Sequence, residues 1–279
     1  MIPAAFDYQR ASSVDEAVGL LGQHGDDAKL LAGGHSLLPL MKLRLAAPAV
    51  LIDIGRLDDL SYVRSADGQV RIGALTRHHD LATSDELREQ VPLLAHVAGQ
   101  IGDPQVRHCG TIGGSIAHGD PASDFPAALL ALRGTLVAHG PDGEREIPAD
   151  EMFTGFLETA LAPDEVLTEI RVPAVGGAGW GFQKFVRRAQ DWAIVGCAAV
   201  LGNGSGGAGG PGVGLVNMGS TPLRAAAVEE ALRNGASPGD AAARADDGTE
   251  PTDDLNASAE YRRHLAQVLV RRALESAGV

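Results

Sequence analysis

Two glycine pairs set the strongest constraint on how this chain folds. The first lies in "LLAGGHSLLPLMKLRLAAP", which runs from Leu30 to Pro48, and the second lies in "HCGTIGGSIAHGDPASD", which runs from His108 to Asp124. Glycine allows positive φ angles and lets a ligand come within hydrogen-bond distance of main-chain N–H groups. Successive N–H groups that point inward bind anions. The two segments are therefore predicted to be ligand-binding loops, with two ordinary tight turns as the alternative.

The net charge of the chain indicates which groups in these loops would bind an anion. The net charge is −13, from 36 acidic and 23 basic residues, and no basic stripe of the kind that binds nucleic acid is present. An anionic ligand must then be held by local donors rather than by a general positive field. Ser36, Thr111 and Ser115 add hydroxyl groups beside the glycines. The pattern predicts a site that holds a diphosphate without a cluster of lysines.

Several other function classes are excluded. Only two cysteines are present, Cys109 and Cys197, so the chain alone cannot form an iron–sulfur or zinc site with four cysteine ligands. The histidines His78, His79 and His118 lack the spacing of a metal site, and no metal is expected. The first residues do not have the pattern of a signal peptide, and no apolar run is long enough to span a bilayer. We expect a cytoplasmic protein.

The secondary-structure pattern predicts three segments. Residues 1–56 have the pattern of a small α/β unit, with strands at 28–33 and 49–54 and a short, proline-interrupted helix between them. Ser13 and Glu16 have the spacing of a capping box ahead of a first helix. This order of strand, glycine-rich turn, helix and strand resembles a tight nucleotide-binding βαβ unit.

Residues 57–173 are predicted to form a second unit. A hairpin is expected to turn at Asp67-Gly68, another at 141–143, and a helix at 84–100 is expected to break at Pro92. A short helix follows the second glycine segment, and a strand ends at Pro173.

Residues 174–279 are predicted to begin with a linker at 174–179. Antiparallel strands follow it, and two amphipathic helices follow the strands. The chain also contains the pattern GxGxxG, for example at Gly204, Gly206 and Gly209. A dinucleotide-binding fingerprint requires a helix directly behind it, but Pro211 and another strand pattern follow. This segment is therefore interpreted as a hairpin tip.

Five segments together resemble one known family. The five segments are "AGGHSLLPLMKLRLA", "TIGGSIAHGDPASD", "PDEVLTEIRVP", "FQKFVRRAQDWAIVG" and "LNASAEYRRHLAQVLVRRAL". They are similar to segments of the FAD-binding medium subunit of molybdenum hydroxylases, the carbon monoxide dehydrogenase and xanthine dehydrogenase family. The resemblance covers nearly the whole chain. It implies an α+β fold, with a two-part FAD-binding domain of the vanillyl-alcohol-oxidase-like (PCMH) type followed by a small α+β C-terminal domain.

The resemblance also implies roles for individual residues. The FAD diphosphate would be wrapped by Ala32, Gly33, Gly34, His35 and Ser36 from the first segment, and by Thr111, Ile112, Gly113, Gly114 and Ser115 from the second. Asp124 would bind the ribose on the adenosine side, although its position also suits a helix N-cap. Ile101, Leu167 and Lys184 fall where the family contacts the cofactor; the first two also suit a hydrophobic core, and Lys184 also suits a solvated surface. Ser115 departs from the family, which often has Asp or Asn there.

Two aromatic side chains, those of Trp192 and His35, each have two alternative roles. Trp192 could stack on the flavin ring or pack in the core. His35 is the most tempting catalytic residue, but a histidine within a glycine loop more often positions a ligand. No catalytic residue is assigned.

The implied function is electron transfer within a larger enzyme. A molybdenum-cofactor large subunit would oxidise the substrate, a small [2Fe-2S] subunit would relay electrons singly, and the FAD of this chain would pass them to an external acceptor. The resemblance implies a dimer of such heterotrimers. The alternative function is a stand-alone flavin oxidase with FAD linked covalently through His35. A third possibility is an assembly subunit that has lost its flavin, which the two intact glycine segments disfavour.

Overall fold

The computed structural model describes residues 2–202 and 209–278. Most of the GxGxxG segment, residues 203–208, lies outside this range. The N-terminal unit is a three-stranded parallel sheet in the order β1-β3-β2 with two helices. Its elements are β1 (Asp7–Arg10), α1 (Val14–His24), β2 (Ala28–Leu31), α2 (Leu37–Leu43) and β3 (Val50–Asp53). The predicted βαβ unit is confirmed.

Local signals set the two helices of this unit. Ser13 caps α1 by accepting a hydrogen bond from the N–H of Glu16, as predicted, whereas the Glu16 carboxylate binds the N–H of Ser12 rather than that of Ser13. Pro39 does not interrupt α2. It lies in the first turn of that helix, where a backbone N–H needs no partner within the helix.

The second unit is a five-stranded antiparallel sheet flanked by helices. The sheet has the order β4-β5-β10-β6-β7. Its strands are β4 (Val63–Ala66), β5 (Gln69–Gly73), β6 (Thr135–Gly140), β7 (Gly143–Pro148) and β10 (Val166–Pro173). A separate two-stranded hairpin consists of β8 (Phe153–Gly155) and β9 (Glu158–Thr159). Its helices are α3 (His78–Thr83), α4 (Asp85–Gln90), α5 (Pro92–Gln100), α6 (Pro104–Cys109), α7 (Ile112–His118), α8 (Asp124–Leu132) and α9 (Ala149–Met152).

The predicted hairpins and the helix break at Pro92 are confirmed, and one expectation is wrong. The second glycine segment is not an open loop. Thr111 caps the short helix α7, and Gly113 and Gly114 lie in the first turn of that helix without a positive φ. Glycine is required at position 113 because a Cβ there would lie 2.5 Å from the Cβ of Ala74.

The C-terminal unit is a four-stranded antiparallel sheet followed by helices. Its strands lie side by side in the order in which they occur in the sequence, β11-β12-β13-β14. Its elements are β11 (Gly179–Phe185), β12 (Val195–Leu201), β13 (Gly212–Val216), β14 (Leu223–Arg224), α10 (Ala226–Arg233), α11 (Pro238–Ala242) and α12 (Ala259–Ala277). The predicted linker at 174–179 is packed rather than free. The N–H of Val175 donates to the carbonyl of Gln90, and the Val175 side chain is buried.

Close helix–sheet contacts explain why so few aromatic residues suffice for the core. A Cβ at Gly214 of β13 would lie 2.1 Å from the carbonyl oxygen of Ala127 in α8, and a Cβ at Gly181 of β11 would lie 2.0 Å from that of Ala273 in α12. Side chains alternate across a strand, so α8 and α12 cover opposite faces of this sheet. Every residue of α8 is buried. The C-terminal sheet thus shares a core with the second unit.

Candidate functional site

A cavity of about 790 Å³ lies where the three units meet. The turn after β2 forms one wall, the start of α7 a second, and strand β11 with the turn after it a third. Twelve of the residues that the sequence analysis selected line it: Ala32, Gly33, Gly34, His35, Ser36, Ile101, Thr111, Gly114, Ser115, Asp124, Lys184 and Trp192. Residues that are far apart in the sequence are therefore brought to one site.

The turn after β2 presents unpaired backbone donors to this cavity. Gly34 has a φ of 72°, a conformation in which residues with a Cβ are strained. In the described part of the chain, none of the backbone N–H groups of residues 33–36 donates to another residue. The carbonyl of Gly33 instead contacts the Nδ1 of His35 at 3.2 Å. Successive backbone N–H groups without an internal partner can bind an anion such as a diphosphate.

The two glycine segments touch each other. A Cβ on Gly33 would lie 2.2 Å from the carbonyl oxygen of Cys109, so only glycine permits this approach. The same carbonyl accepts a hydrogen bond from the Arg77 guanidinium. Gly33 thereby fixes the spacing between the first turn and the residues that lead into α7.

The start of α7 has fewer free donors than the sequence analysis expected. The N–H groups of Ile112 and Gly113 donate to the carbonyls of Thr76 and Ala74, at 3.1 and 2.8 Å, and the N–H of Gly114 donates to the Thr111 hydroxyl at 3.2 Å. The hydroxyl groups and the side-chain-free surface of Gly114 remain available to a ligand.

Three of the selected residues lie outside the cavity lining. The side chains of Ile112 and Leu167 are buried in the main core, and Gly113 packs against Ala74. For Leu167 this agrees with the core alternative.

Asp124 and Lys184 form a buried ion pair in the cavity wall. The Nζ of Lys184 lies 2.7 Å from the Oδ2 of Asp124, and the side chains of Lys184 and Asp124 are only 11% and 6% exposed. The solvated-surface alternative for Lys184 is therefore wrong. Ser123, not Asp124, is the N-cap of α8, so the N-cap alternative for Asp124 is wrong as well. Burial raises the pKa of Asp124, and the Lys184 ammonium opposes that rise. The Oδ1 of Asp124 has no partner within the described chain.

The structure shows what the side chains of Ser115 and Trp192 contact and how exposed they are. The Ser115 hydroxyl lies 2.8 Å from the hydroxyl of Ser123, so this residue is part of a short polar pair at the cavity. The Trp192 side chain is 60% exposed at the cavity mouth, and the core alternative for it is wrong. The turn that carries Trp192 rests on the second unit, since a Cβ on Gly102 would lie 2.2 Å from the Cβ of Gln190.

His78 is a cavity residue that sequence reasoning missed. Only 4% of it is exposed, its ring lies 5.3 Å from that of Phe125, and its Nδ1 has no partner within the described chain. Burial, and to a lesser extent positive charge on His35 and Arg107, lowers the pKa of His78 to about 4. No local motif marks this residue, because only the folded contact with Gly110 brings it to the cavity.

The described residues contain no group of three or more His, Cys, Asp or Glu side chains placed to hold a metal ion. Across residues 2–202 and 209–278, no helix has both the length and the apolarity needed to cross a membrane.

Comparisons with known proteins identify the fold. Residues 4–175 match the family described as the FAD binding domain in molybdopterin dehydrogenase, and residues 180–277 match the CO dehydrogenase flavoprotein C-terminal domain. The chain belongs to this family. It is therefore an FAD-binding subunit of the molybdenum hydroxylases and part of an oxidoreductase, with the two-part FAD domain and C-terminal domain that the sequence predicted.

Individual relatives match over nearly their full length. The chain is 45% identical to the carbon monoxide dehydrogenase medium chain of Hydrogenophaga pseudoflava, over 99% of this chain and 98% of that protein. It is 38% identical to subunit alpha of the 6-hydroxypseudooxynicotine dehydrogenase complex of Paenarthrobacter nicotinovorans, over 99% and 96%. A solved carbon monoxide dehydrogenase from Hydrogenophaga pseudoflava that lacks the Mo-pyranopterin moiety superposes with a TM-score of 0.95 at 47% identity, over 99% and 98%.

The residues present fit an FAD. The cavity is large enough for an extended ligand, the turn after β2 offers unpaired donors at one wall, and Asp124 offers an unpaired acceptor at another. A dinucleotide needs these two kinds of group, since its diphosphate accepts hydrogen bonds and its ribose hydroxyls donate them.

Proposed function

We propose that this chain is the electron-exit subunit of a three-component molybdenum hydroxylase. Its FAD takes electrons from a [2Fe-2S] small subunit and passes them to an external acceptor. The observation that carries the proposal is the run of free N–H donors at residues 33–36 on the wall of the cavity. The bound flavin supplies the redox chemistry, while the protein supplies binding, orientation and electrostatics.

The diphosphate is assigned to the first glycine turn. Residues 33–36 donate backbone N–H groups, and the hydroxyls of Thr111 and Ser115 with the open surface of Gly114 complete the contact. In a chain with a net charge of −13, such donors replace a cluster of lysines. Charged acceptors make these hydrogen bonds strong, at about 1.5–3 kcal/mol each.

The two ends of the cofactor are assigned to different walls. The unpaired Oδ1 of Asp124 is the acceptor for a ribose hydroxyl, while Lys184 holds the other carboxylate oxygen in place. We assign Trp192, which is exposed and lines the cavity together with Ile101, to the flavin ring, on which it would stack.

The electrons must reach the flavin from another chain. The two cysteines are Cys109, which is exposed, and Cys197, which is buried in the C-terminal sheet, so the chain cannot provide four cysteine ligands for a cluster. We propose a small [2Fe-2S] subunit as the donor and a large molybdenum-cofactor subunit as its source of electrons, assembled as a dimer of heterotrimers in the cytoplasm.

The substrate is set by the large subunit, not by this chain. The relatives carry the names of dehydrogenases for carbon monoxide and for 6-hydroxypseudooxynicotine, although they share similar FAD subunits. The cavity described above is assigned to the cofactor, so no substrate is assigned.

Acid precipitation tests the mode of flavin binding. We expect the purified chain to be yellow and to release one FAD per chain into the supernatant. Colour retained in the pellet would favour the stand-alone oxidase with FAD attached to His35, and a colourless protein that rejects added FAD would contradict both functions.

A further inference from the structure

His78 lines the cavity and lies against Gly110, the residue before the N-cap of α7. Its backbone N–H donates to the carbonyl of Gly110 at 3.0 Å. A Cβ on Gly110 would lie 2.7 Å from the Nε2 of His78. Glycine at position 110 therefore leaves room for the imidazole and keeps its Nε2 edge uncovered.

The two ring nitrogens of His78 have different surroundings. Within the described chain neither nitrogen has a hydrogen-bond partner. Nδ1 is buried, whereas Nε2 is in part accessible to solvent. His78 lines the cavity, and Nε2 is thus the nitrogen that reaches it.

This difference fixes the tautomer. Burial keeps the ring neutral at neutral pH, since the pKa of His78 is lowered to about 4. A neutral imidazole carries one proton, and a buried N–H without an acceptor is more costly than a buried lone pair without a donor. The proton is therefore held on Nε2, and Nδ1 keeps its lone pair.

We propose that His78 is a cofactor-binding residue whose Nε2–H donates a hydrogen bond to the FAD in this cavity, close to the first glycine turn. His78 lies against Gly110, and a Cβ on Gly33 would lie 2.8 Å from the Cα of Gly110, so the donor is close to the turn assigned to the diphosphate. This inference rests on the proposed placement of FAD.

Substitution tests the contact through FAD affinity. Titration of flavin-free protein with FAD, followed by quenching of flavin fluorescence, should show binding about tenfold weaker for His78→Leu, because one hydrogen bond is lost. His78→Gln keeps an N–H donor and should recover much of the affinity. His79→Leu is the matched control: His79 is the next residue of α3, stacks on His108 at 4.0 Å and does not line the cavity. Its affinity should equal that of the wild type.

A second measurement does not depend on a variant that folds. In ¹⁵N-labelled wild-type protein, NMR should show His78 as the neutral Nε2–H tautomer, and addition of FAD should shift that proton downfield. An unshifted Nε2 proton, or His78→Leu that binds FAD as tightly as the wild type, would overturn the inference. The Gly34→Val variant separates the two proposals, because FAD binding that survives that change would contradict the placement of the cofactor itself.

Discussion

At the scale of single residues, three glycines at the cavity are required for different physical reasons. Gly33 permits contact between two segments, Gly34 adopts a positive φ, and Gly114 leaves an open surface at the cavity. The same residue type therefore serves packing, conformation and ligand access within one site.

Gly34→Val should abolish FAD binding while the fold survives. The substitution strains a positive φ by roughly 1–2 kcal/mol, and its Cβ would lie 2.9 Å from the side chain of Leu38, which displaces the turn that holds the donors. The matched control is Gly22→Val, since Gly22 is exposed and a Cβ added there would meet no atom within 4 Å. The flavin absorbance of each purified protein gives the comparison. Wild-type flavin content in Gly34→Val would show that this turn does not hold the cofactor.

His78 should make the protein sensitive to acid. Its pKa falls from 6.5 to about 4 on folding, so between these values the unfolded chain binds more protons and stability rises with pH. The contribution of His78 is fully present above pH 6.5 and is lost as the pH falls toward 4, by about 3 kcal/mol in total. Urea unfolding of His78→Leu should therefore show a smaller loss of stability between pH 7 and about pH 4 than the wild type shows. Equal losses would contradict a buried neutral histidine.

At the scale of elements, local sequence signals predict much and long-range contacts explain the rest. Asp67 and Gly68 both have positive φ, as the predicted tight hairpin requires. The sequence of α7 favours a loop because glycine disfavours helices, while the packing that selects Gly113 comes from Ala74, far away in the sequence. Strand β1 has no local signal, because Asp7–Arg10 is polar and pairs only with the distant β3.

The same limit applies to the candidate site. The first glycine turn is predictable because its φ requirement and hydroxyl neighbours are local. The ion pair between Asp124 and Lys184 and the cavity position of His78 depend on how the three units pack, which no single segment reveals.

The ion pair between the start of α8 and strand β11 should show strong coupling. Lys184→Met leaves a buried, unpaired carboxylate and should cost about 3–5 kcal/mol of unfolding free energy, whereas adding Asp124→Asn should recover a large part of this loss. Urea unfolding of the two single variants and the double variant measures the coupling. Additive losses would show that the two groups do not act as a pair.

At the scale of the whole molecule, the three units together form the cavity, since strand β11 and the turn after it supply one of its walls. Helix α8 is buried between the two antiparallel sheets, and its N-terminus carries Asp124 to the cavity wall. All three units therefore contribute to the proposed flavin site.

The isolated chain should not oxidise small organic substrates. Its two cysteines cannot hold a cluster with four cysteine ligands, so turnover requires the partner subunits. Co-expression should give a stable complex with an iron–sulfur subunit and a molybdenum subunit, which size-exclusion chromatography and metal analysis would detect. Full substrate-dependent turnover by this chain alone, without metal, would support the oxidase instead.

Electron transfer into the flavin tests the central claim most directly. The isolated [2Fe-2S] subunit is reduced, mixed with the FAD-loaded chain in a stopped-flow instrument without oxygen, and the visible absorbance of the flavin is followed. The account predicts that the flavin bleaches as the iron–sulfur subunit is reoxidised, with two electrons taken up per FAD, and that Gly34→Val protein leaves the iron–sulfur subunit reduced. An iron–sulfur subunit that stays reduced in the presence of the FAD-loaded wild-type chain would contradict it.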